Sequence, residues 1–329
     1  MCGITGVILK KTNLGIDIDE YINTLLHHQD KRGPDASDSY IKNNIGLGHN
    51  RLAIQDLDSR SNQPYIYKNL IMIFNGEIYN YIELKEELTI TYNETFETNS
   101  DTEVLIKLFY RLGVENTLKR LNGMFCIGLY YGDSNELYII RDRIGIKQCY
   151  IYEDDNKLIF SSTPASIVKT LNNIEGKKFK INKNSLFHYL SGGICLTTET
   201  MFEEIKGLNT GSYIKINVKN YNKIEKKWWN LSGNNENIKD IIKEAIKIRN
   251  RSDAGGYLLF SGGTDSSVIS KFSSNVDLLT LDAGEYEFAN NISIELGLNE
   301  KLYKLPKDFV RKETNKFVEE QKKIINFIG

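Results

Sequence analysis

At 329 residues the chain exceeds the usual size of one domain, so two domains are expected. A hydrophobic fraction of 40%, a charged fraction of 26% and a net charge of −1 describe an ordinary globular protein, with no global field to steer it to nucleic acid or membrane. Cys2, Cys126, Cys149 and Cys195 lack CxxC spacing, which argues against a disulfide framework and a structural zinc site. No apolar run approaches the ~18 residues of a membrane span, and the N-terminus lacks a signal-peptide pattern, so a cytoplasmic location is expected.

The first 170 or so residues read as short strands rich in β-branched and aromatic residues. In chain order these are CGITGVIL, IGLGHNRLAI, LIMIFNGEIYN, MFCIGLYYG, ELYIIRDR, CYIYEDD and LIFSS. Helical patterns run from Asp17 to Gln29 and from Asp101 to Leu112. Ser185–Leu190 reads as helix, and Met201–Trp229 as two closing strands. This order predicts an α+β layered domain over 1–230, sheets packed on each other with helices outside.

The polar, turn-rich stretch from Leu231 to Asn237 reads as a linker. Beyond it, over 231–329, helix and strand alternate. Ile238–Arg249 is predicted helical, Gly256–Phe260 strand, Asp265–Phe272 helix and Val276–Leu281 strand. Glu287–Leu296 then reads as helix, Lys301–Leu305 as strand and Phe309–Ile325 as helix. Such alternation predicts a parallel α/β sheet.

Cys2 follows the initiator methionine, and a small second residue favours trimming of Met1. The mature terminus would then carry a thiol and an α-amine of pKa about 7.7–8.0 on one residue, a known arrangement for acyl transfer. Four polar clusters fall at turns beside strands: Arg32-Gly33-Pro34-Asp35, His49-Asn50-Arg51-Leu52, Asn75-Gly76-Glu77-Ile78-Tyr79-Asn80 and Ser100-Asp101-Thr102-Glu103. Read singly they need no ligand. On its own Asn75-Gly76 reads as a hairpin turn, Ser100 as a helix cap, and His49 as a packing histidine.

Taken with Cys2, the set resembles the glutaminase domain of asparagine synthetases, among the class II glutamine amidotransferases with an N-terminal nucleophile. The likeness rests on CGITG, RGPD, GHNRLAI, Gln63-Pro64, FNGEIYNY, SDTEV, LNGMF and RDRIGIK, over roughly residues 2 to 162. It implies an N-terminal nucleophile hydrolase-like α/β/β/α sandwich in which Cys2 attacks the glutamine carboxamide. Asn75 (side chain) and Gly76 (backbone N–H) would hold the oxyanion. The implied glutamine-binding residues are Arg51, Leu52, Ala53, Ile54, Gln55, Asn75, Gly76, Glu77 and Asp101. Arg51 suits the α-carboxylate, while Glu77 and Asp101 suit the ammonium or amide. Two positions depart from the family pattern: Gln148-Cys149 stands where Pro-Leu is usual, and Ser162-Thr163 where a Ser-Glu pair is common.

The apolar strand Tyr257-Leu258-Leu259-Phe260 runs into Ser261-Gly262-Gly263-Thr264-Asp265-Ser266-Ser267 and a helix. A Gly-rich turn at a helix N-terminus favours phosphate, and SGG-x-DSS is similar to the pyrophosphate loop of ATP pyrophosphatases. The resemblance implies ATP with Mg²⁺ at Leu259, Phe260, Ser261, Gly262, Gly263, Thr264, Asp265, Ser266 and Ser267, with Ala283 on the next strand. No metal ligand is assigned. The chain beyond Ser267 is short for this family's synthetase domain, and the later Ser-Gly-x-Gly-Ala-Asp-Glu segment has no counterpart. A truncated or split gene, a partner chain or a degenerate half retained for packing would each account for it, and a homodimer is a further assembly to consider.

The expected activity is glutamine hydrolysis to glutamate and ammonia, with ammonia meant for an ATP-activated carboxylate such as aspartate. The rivals are amination of another acceptor and a non-catalytic glutamine-sensing subunit. Glutamate release separates the enzymes from the sensor.

Overall fold

The computed structural model describes residues 1–11, 15–195, 198–233, 237–273, 276–281 and 284–306, in two units that divide between Leu231 and Ser232. The first unit opens with β1 (Gly3–Leu9), α1 (Ile18–His27), β2 (Ala36–Lys42), β3 (Ile45–Arg51), β4 (Tyr65–Tyr67) and β5 (Leu70–Ile78). It continues through α2 (Tyr81–Tyr92), α3 (Asp101–Arg120), β6 (Gly123–Tyr131), β7 (Glu136–Arg141), β8 (Tyr150–Glu153) and β9 (Lys157–Ser161). It closes with α4 (Pro164–Glu175), α5 (Lys183–Gly192), β10 (Ile205–Gly207), β11 (Ser212–Asn217) and β12 (Asn222–Lys227).

Two six-stranded sheets form, in the orders β10-β8-β9-β1-β3-β2 and β12-β11-β7-β6-β5-β4. Ile4, Ile8, Leu47, Ile73, Ile139 and Phe160 fill the space between them. The outer face of the first sheet packs Val7 and Ile159 against Ile22 and Leu25 of α1 and Ile167 of α4. The outer face of the second packs Met72 and Leu129 against Leu84 of α2 and Leu105 and Phe109 of α3. The unit is therefore an α/β/β/α sandwich. Because both faces of each sheet are covered, the central strand β1 is buried along its whole length and shows no alternation. Edge strand β12, with Lys223, Lys226 and Lys227, is exposed throughout, a composition that blocks edge pairing.

Local chemistry explains the element ends nearest the candidate residues. Ser100 Oγ accepts the Thr102 amide at 3.1 Å and caps α3, so Asp101 sits in the first helical turn. That helix extends to Arg120, past the predicted end at Leu112, because Gly113 breaks it and a second helical piece resumes. Strand β3 stops at Arg51, three residues before the predicted end at Ile54, where the chain turns away. Sequence periodicity missed α2, which buries only Leu84 and Leu88 and carries Thr89, Ile90 and Thr91 in its last turns. It also missed α4, although Thr163-Pro164 is a helix start: Thr163 Oγ1 accepts the Ser166 amide at 3.2 Å.

The second unit contains α6 (Ile238–Arg249), β13 (Tyr257–Leu259), α7 (Thr264–Phe272), β14 (Asp277–Leu281), α8 (Tyr286–Glu295) and β15 (Leu302–Leu305). Its strands pair in parallel in the order β13-β14-β15, with Leu258, Leu278 and Leu302 in register. Ala289 and Ile292 of α8 pack on that row together with Phe260. The helix expected over Phe309–Ile325 lies outside the described residues. No helix among the described residues is long and apolar enough to cross a membrane.

Candidate functional site

Residues far apart in the chain line one cavity of about 230 Å³ in the first unit. Cys2 enters it just ahead of β1, Asn75, Gly76 and Glu77 from β5, and Asp101 from the start of α3. Arg51, Leu52, Ile54 and Gln55 line it from the end of β3 and the loop that follows. Ala53 does not line it: its amide donates to Asp35 Oδ2 at 2.7 Å, tying the loop to the RGPD turn.

Cys2 is half-buried, and its thiol sits against the Leu52 backbone. The Leu52 amide lies 3.4 Å from Sγ and the Leu52 carbonyl 3.6 Å from it. Burial pushes the thiol pKa up, while the Leu52 amide, the N-terminal ammonium and Lys147 pull it down. Arg32 Nε donates to the Cys2 carbonyl at 3.0 Å, so the RGPD turn fixes the backbone that carries the sulfur.

Asn75 is buried, with its Nδ2 only 3.5 Å from Ser162 Oγ. The same Oγ accepts the Ile4 amide at 3.0 Å, so Ser162 ties β1 to Asn75. Gly76 lies opposite Phe125 in the β5–β6 ladder. A Cβ there would meet the Met124 carbonyl oxygen at 2.1 Å, so only glycine permits this approach. Gln55 Nε2 donates to Glu77 Oε2 at 2.7 Å and latches the loop to β5.

Asp101 is 4% exposed and accepts the Ile78 amide at 2.9 Å. Burial raises its pKa to about 6, against the pull of that amide and of Thr102 and Ser100. Arg51 departs from the open fork expected of a carboxylate clamp. Its Nη1 donates to Asp58 O and Asn62 Oδ1, both at 2.7 Å, and its Nη2 to the Asp56 carbonyl and, at 3.4 Å, that of Gln55. The guanidinium thus holds the 52–62 loop in shape.

His49 is fully buried, and burial lowers its pKa to about 3, so the ring is neutral. Because a carbonyl only accepts, Nε2 carries the proton and donates to Phe74 O at 3.2 Å, joining β3 to β5. Gln63, beside the cis Gln63–Pro64 bond, accepts the Phe74 amide at 2.6 Å and donates to Thr102 Oγ1 at 3.3 Å.

Sequence reasoning assigned no role to Lys147, which lines the cavity and is 6% exposed. It comes from the 142–147 turn, where the Asp142 carboxylate accepts the amides of Gly145, Ile146 and Lys147 at 2.7, 2.9 and 2.8 Å. The RDRIGIK motif was the available signal, but only the fold brings it to Cys2. The two departures from the family pattern have structural roles. Gln148 Oε1 accepts Arg141 Nη2 at 2.8 Å, Cys149 is buried between the sheets, and Thr163 caps α4.

In the second unit, Phe260 is buried and its amide donates to Leu279 O at 2.8 Å, whereas Leu259 is exposed. Gly262 has φ +75°, and Gly263 caps α7. Ser261 Oγ accepts the Gly263 amide at 3.3 Å, while Ser266 Oγ and Ser267 Oγ donate to the Gly263 and Gly262 carbonyls at 3.1 and 3.3 Å. Thr264 and Asp265 are exposed in the first turn of α7, and Ala283 lies outside the described residues. Among the described residues no group of three or more His, Cys, Asp or Glu side chains could hold a metal ion.

A glutamine amidotransferase domain model matches residues 1–229. Asparagine synthetase [glutamine-hydrolyzing] 1 of Bacillus subtilis is 33% identical over 289 residues, covering 82% of this chain and 43% of that protein. Asparagine synthetase [glutamine-hydrolyzing] 2 of the same organism is 28% identical over 295 residues, covering 83% and 39%. The chain spans about half the length of the curated relatives it matches. The glutamine phosphoribosylpyrophosphate amidotransferase of B. subtilis superposes with TM-score 0.52 at 16% identity, covering 92% of this chain and 65% of that one, which shows a shared fold. The domain match, together with the layered N-terminal nucleophile fold, establishes that the chain belongs to the class II glutamine amidotransferase family.

Proposed function

We propose that the first unit hydrolyses glutamine to glutamate and ammonia, with Cys2 as nucleophile once Met1 is removed. The observation that carries this is the convergence of Cys2, Asn75, Gly76, Glu77 and Asp101 on one cavity. The α-amine of Cys2 takes the thiol proton, and Sγ attacks the side-chain carboxamide carbon. Asn75 Nδ2 and the Gly76 N–H stabilise the oxyanion. The C–N bond then breaks, ammonia leaves with the proton, and a thioester remains until water cleaves it to glutamate and free thiol. Asp101 and Glu77 receive the substrate ammonium. Leu52, Ile54 and Gln55, on the loop held by Arg51, form the wall facing the α-carboxylate.

We assign the ammonia to a carboxylate acceptor such as aspartate, in keeping with the names of the asparagine synthetases it resembles. The Ser261–Ser267 turn fits a phosphate group: a glycine-lined approach, serine hydroxyls and the N-terminus of a nine-residue helix meet there. When bound with Mg²⁺, ATP would supply activation of the acceptor carboxylate. A reducing cytoplasm suits the four free thiols.

The test is to mix processed protein with glutamine, quench in acid within one turnover, and weigh the N-terminal peptide. A glutamyl adduct on Cys2 is expected. Glutamate formation with the adduct on another residue would overturn the assignment.

A further inference from the structure

Besides the terminal α-amine, three cationic side chains touch Cys2 or line its cavity, and two are already committed. Arg32 is spent on the Cys2 carbonyl, and the terminal nitrogens of Arg51 on the 52–62 loop. Lys147 is different. Its ammonium is buried against the cavity, and its one hydrogen-bond partner among the described residues is a thioether, Met1 Sδ at 3.2 Å. No carboxylate forms an ion pair with it among the described residues. A buried ammonium held directly by so weak an acceptor is poorly compensated, since Glu77 and Asp142 attract it without an ion-pair contact and desolvation is costly without a charged or strong polar partner. Removal of Met1 takes away even that partner and leaves Cys2 as the new terminus.

We propose that Lys147 is a positioning residue whose buried ammonium serves as the counter-charge for the Cys2 thiolate. This rests on the glutaminase reading above. The other charged groups that face the nucleophile are Glu77 from β5, Asp101 from α3, Arg51 from β3, and Arg32 and Asp35 from the turn after α1. Among them the carboxylates oppose a thiolate. A cation at this position also opposes protonation of the α-amine that trimming of Met1 would create on Cys2. Mutual attraction with Cys2 is the main influence opposing the burial that lowers the pKa of Lys147.

The experiment follows alkylation of Cys2 by iodoacetamide against pH, without glutamine, in protein whose N-terminus is confirmed as Cys2. Peptide mass spectrometry separates Cys2 from Cys195, the other partly exposed thiol. Lys147→Met should move the midpoint up by about one pH unit and slow alkylation at neutral pH about tenfold, the effect of losing one nearby charge. Lys147→Gln, which keeps a donor but no charge, should match it, and Lys147→Arg should restore the wild-type profile. Near-ultraviolet circular dichroism checks that each variant is folded, and either neutral variant suffices if the other fails. An unchanged midpoint in a folded neutral variant would overturn the proposal, as would a change confined to the KM for glutamine. A wild-type profile that depends on Lys147 without any glutamate release would count against the glutaminase reading alone.

Discussion

Asn75 reaches Ser162 across 3.5 Å, the outer limit of a hydrogen bond, while that same hydroxyl oxygen accepts the Ile4 amide at 3.0 Å. The carboxamide is thereby oriented but weakly engaged, as the proposed role of oxyanion donor requires. Asn75→Ala should lower kcat by about 10²–10³ with little change in KM, the usual cost of one oxyanion donor. Steady-state glutamate release checks this, and a change in KM alone would contradict it.

Gly76→Ala brings a methyl group to within 2.1 Å of the Met124 carbonyl oxygen, backbone that cannot swing aside. We expect a loss of about 1–3 kcal/mol in stability, measured by urea denaturation, and a loss of glutaminase activity in the remaining folded protein. A stable, active variant would show that the β5–β6 approach is looser than described.

Asp101 should give the glutamine KM its pH dependence. Below its folded pKa of about 6 the carboxyl is neutral and loses its attraction for the substrate ammonium. KM should therefore rise about tenfold per unit as pH falls below that value. Stability runs the other way. The folded pKa lies above the unfolded value of about 3.9, so the favourable contribution is complete below pH 4 and lost as pH rises through 6. Asp101→Asn should thus gain stability relative to the native chain between pH 4.5 and 7.5, by at most about 3 kcal/mol.

Arg51→Lys should disorder the 52–62 loop, since a single nitrogen with three donors cannot reach the four acceptors that Nη1 and Nη2 divide between them. The expected result is a glutamine KM at least about tenfold higher and a stability loss of about 1–3 kcal/mol from stranded carbonyls. Limited proteolysis should cut within the loop first. If cleavage stays unchanged while KM rises, the guanidinium acts on substrate and not on the loop.

Much of the cavity was legible because its residues sit in short contiguous motifs whose types state their chemistry. Asn75, Gly76 and Glu77 are successive residues, and Asp101 directly follows a recognisable cap. Lys147 was not legible, because its 142–147 turn is held by Asp142 and reaches Cys2 only through sheet packing. Arg51 was legible as a residue, but its partners were not: three of its four lie in the loop carbonyls, which sequence motifs do not encode. Strand and helix order gave packed sheets with helices outside, while the α/β/β/α sandwich itself came from the family resemblance. Helix α2 could not, since it buries only two residues and its β-branched end imitates a strand.

The most direct measurement is glutamate release by the full chain, with mass spectrometry showing Cys2 as the mature N-terminus, compared with Cys2→Ala. The native chain should turn glutamine into equimolar glutamate and ammonia, and the variant should fold normally and release none. Equal release by both, or none from correctly processed native protein, would contradict the assignment of Cys2 as nucleophile.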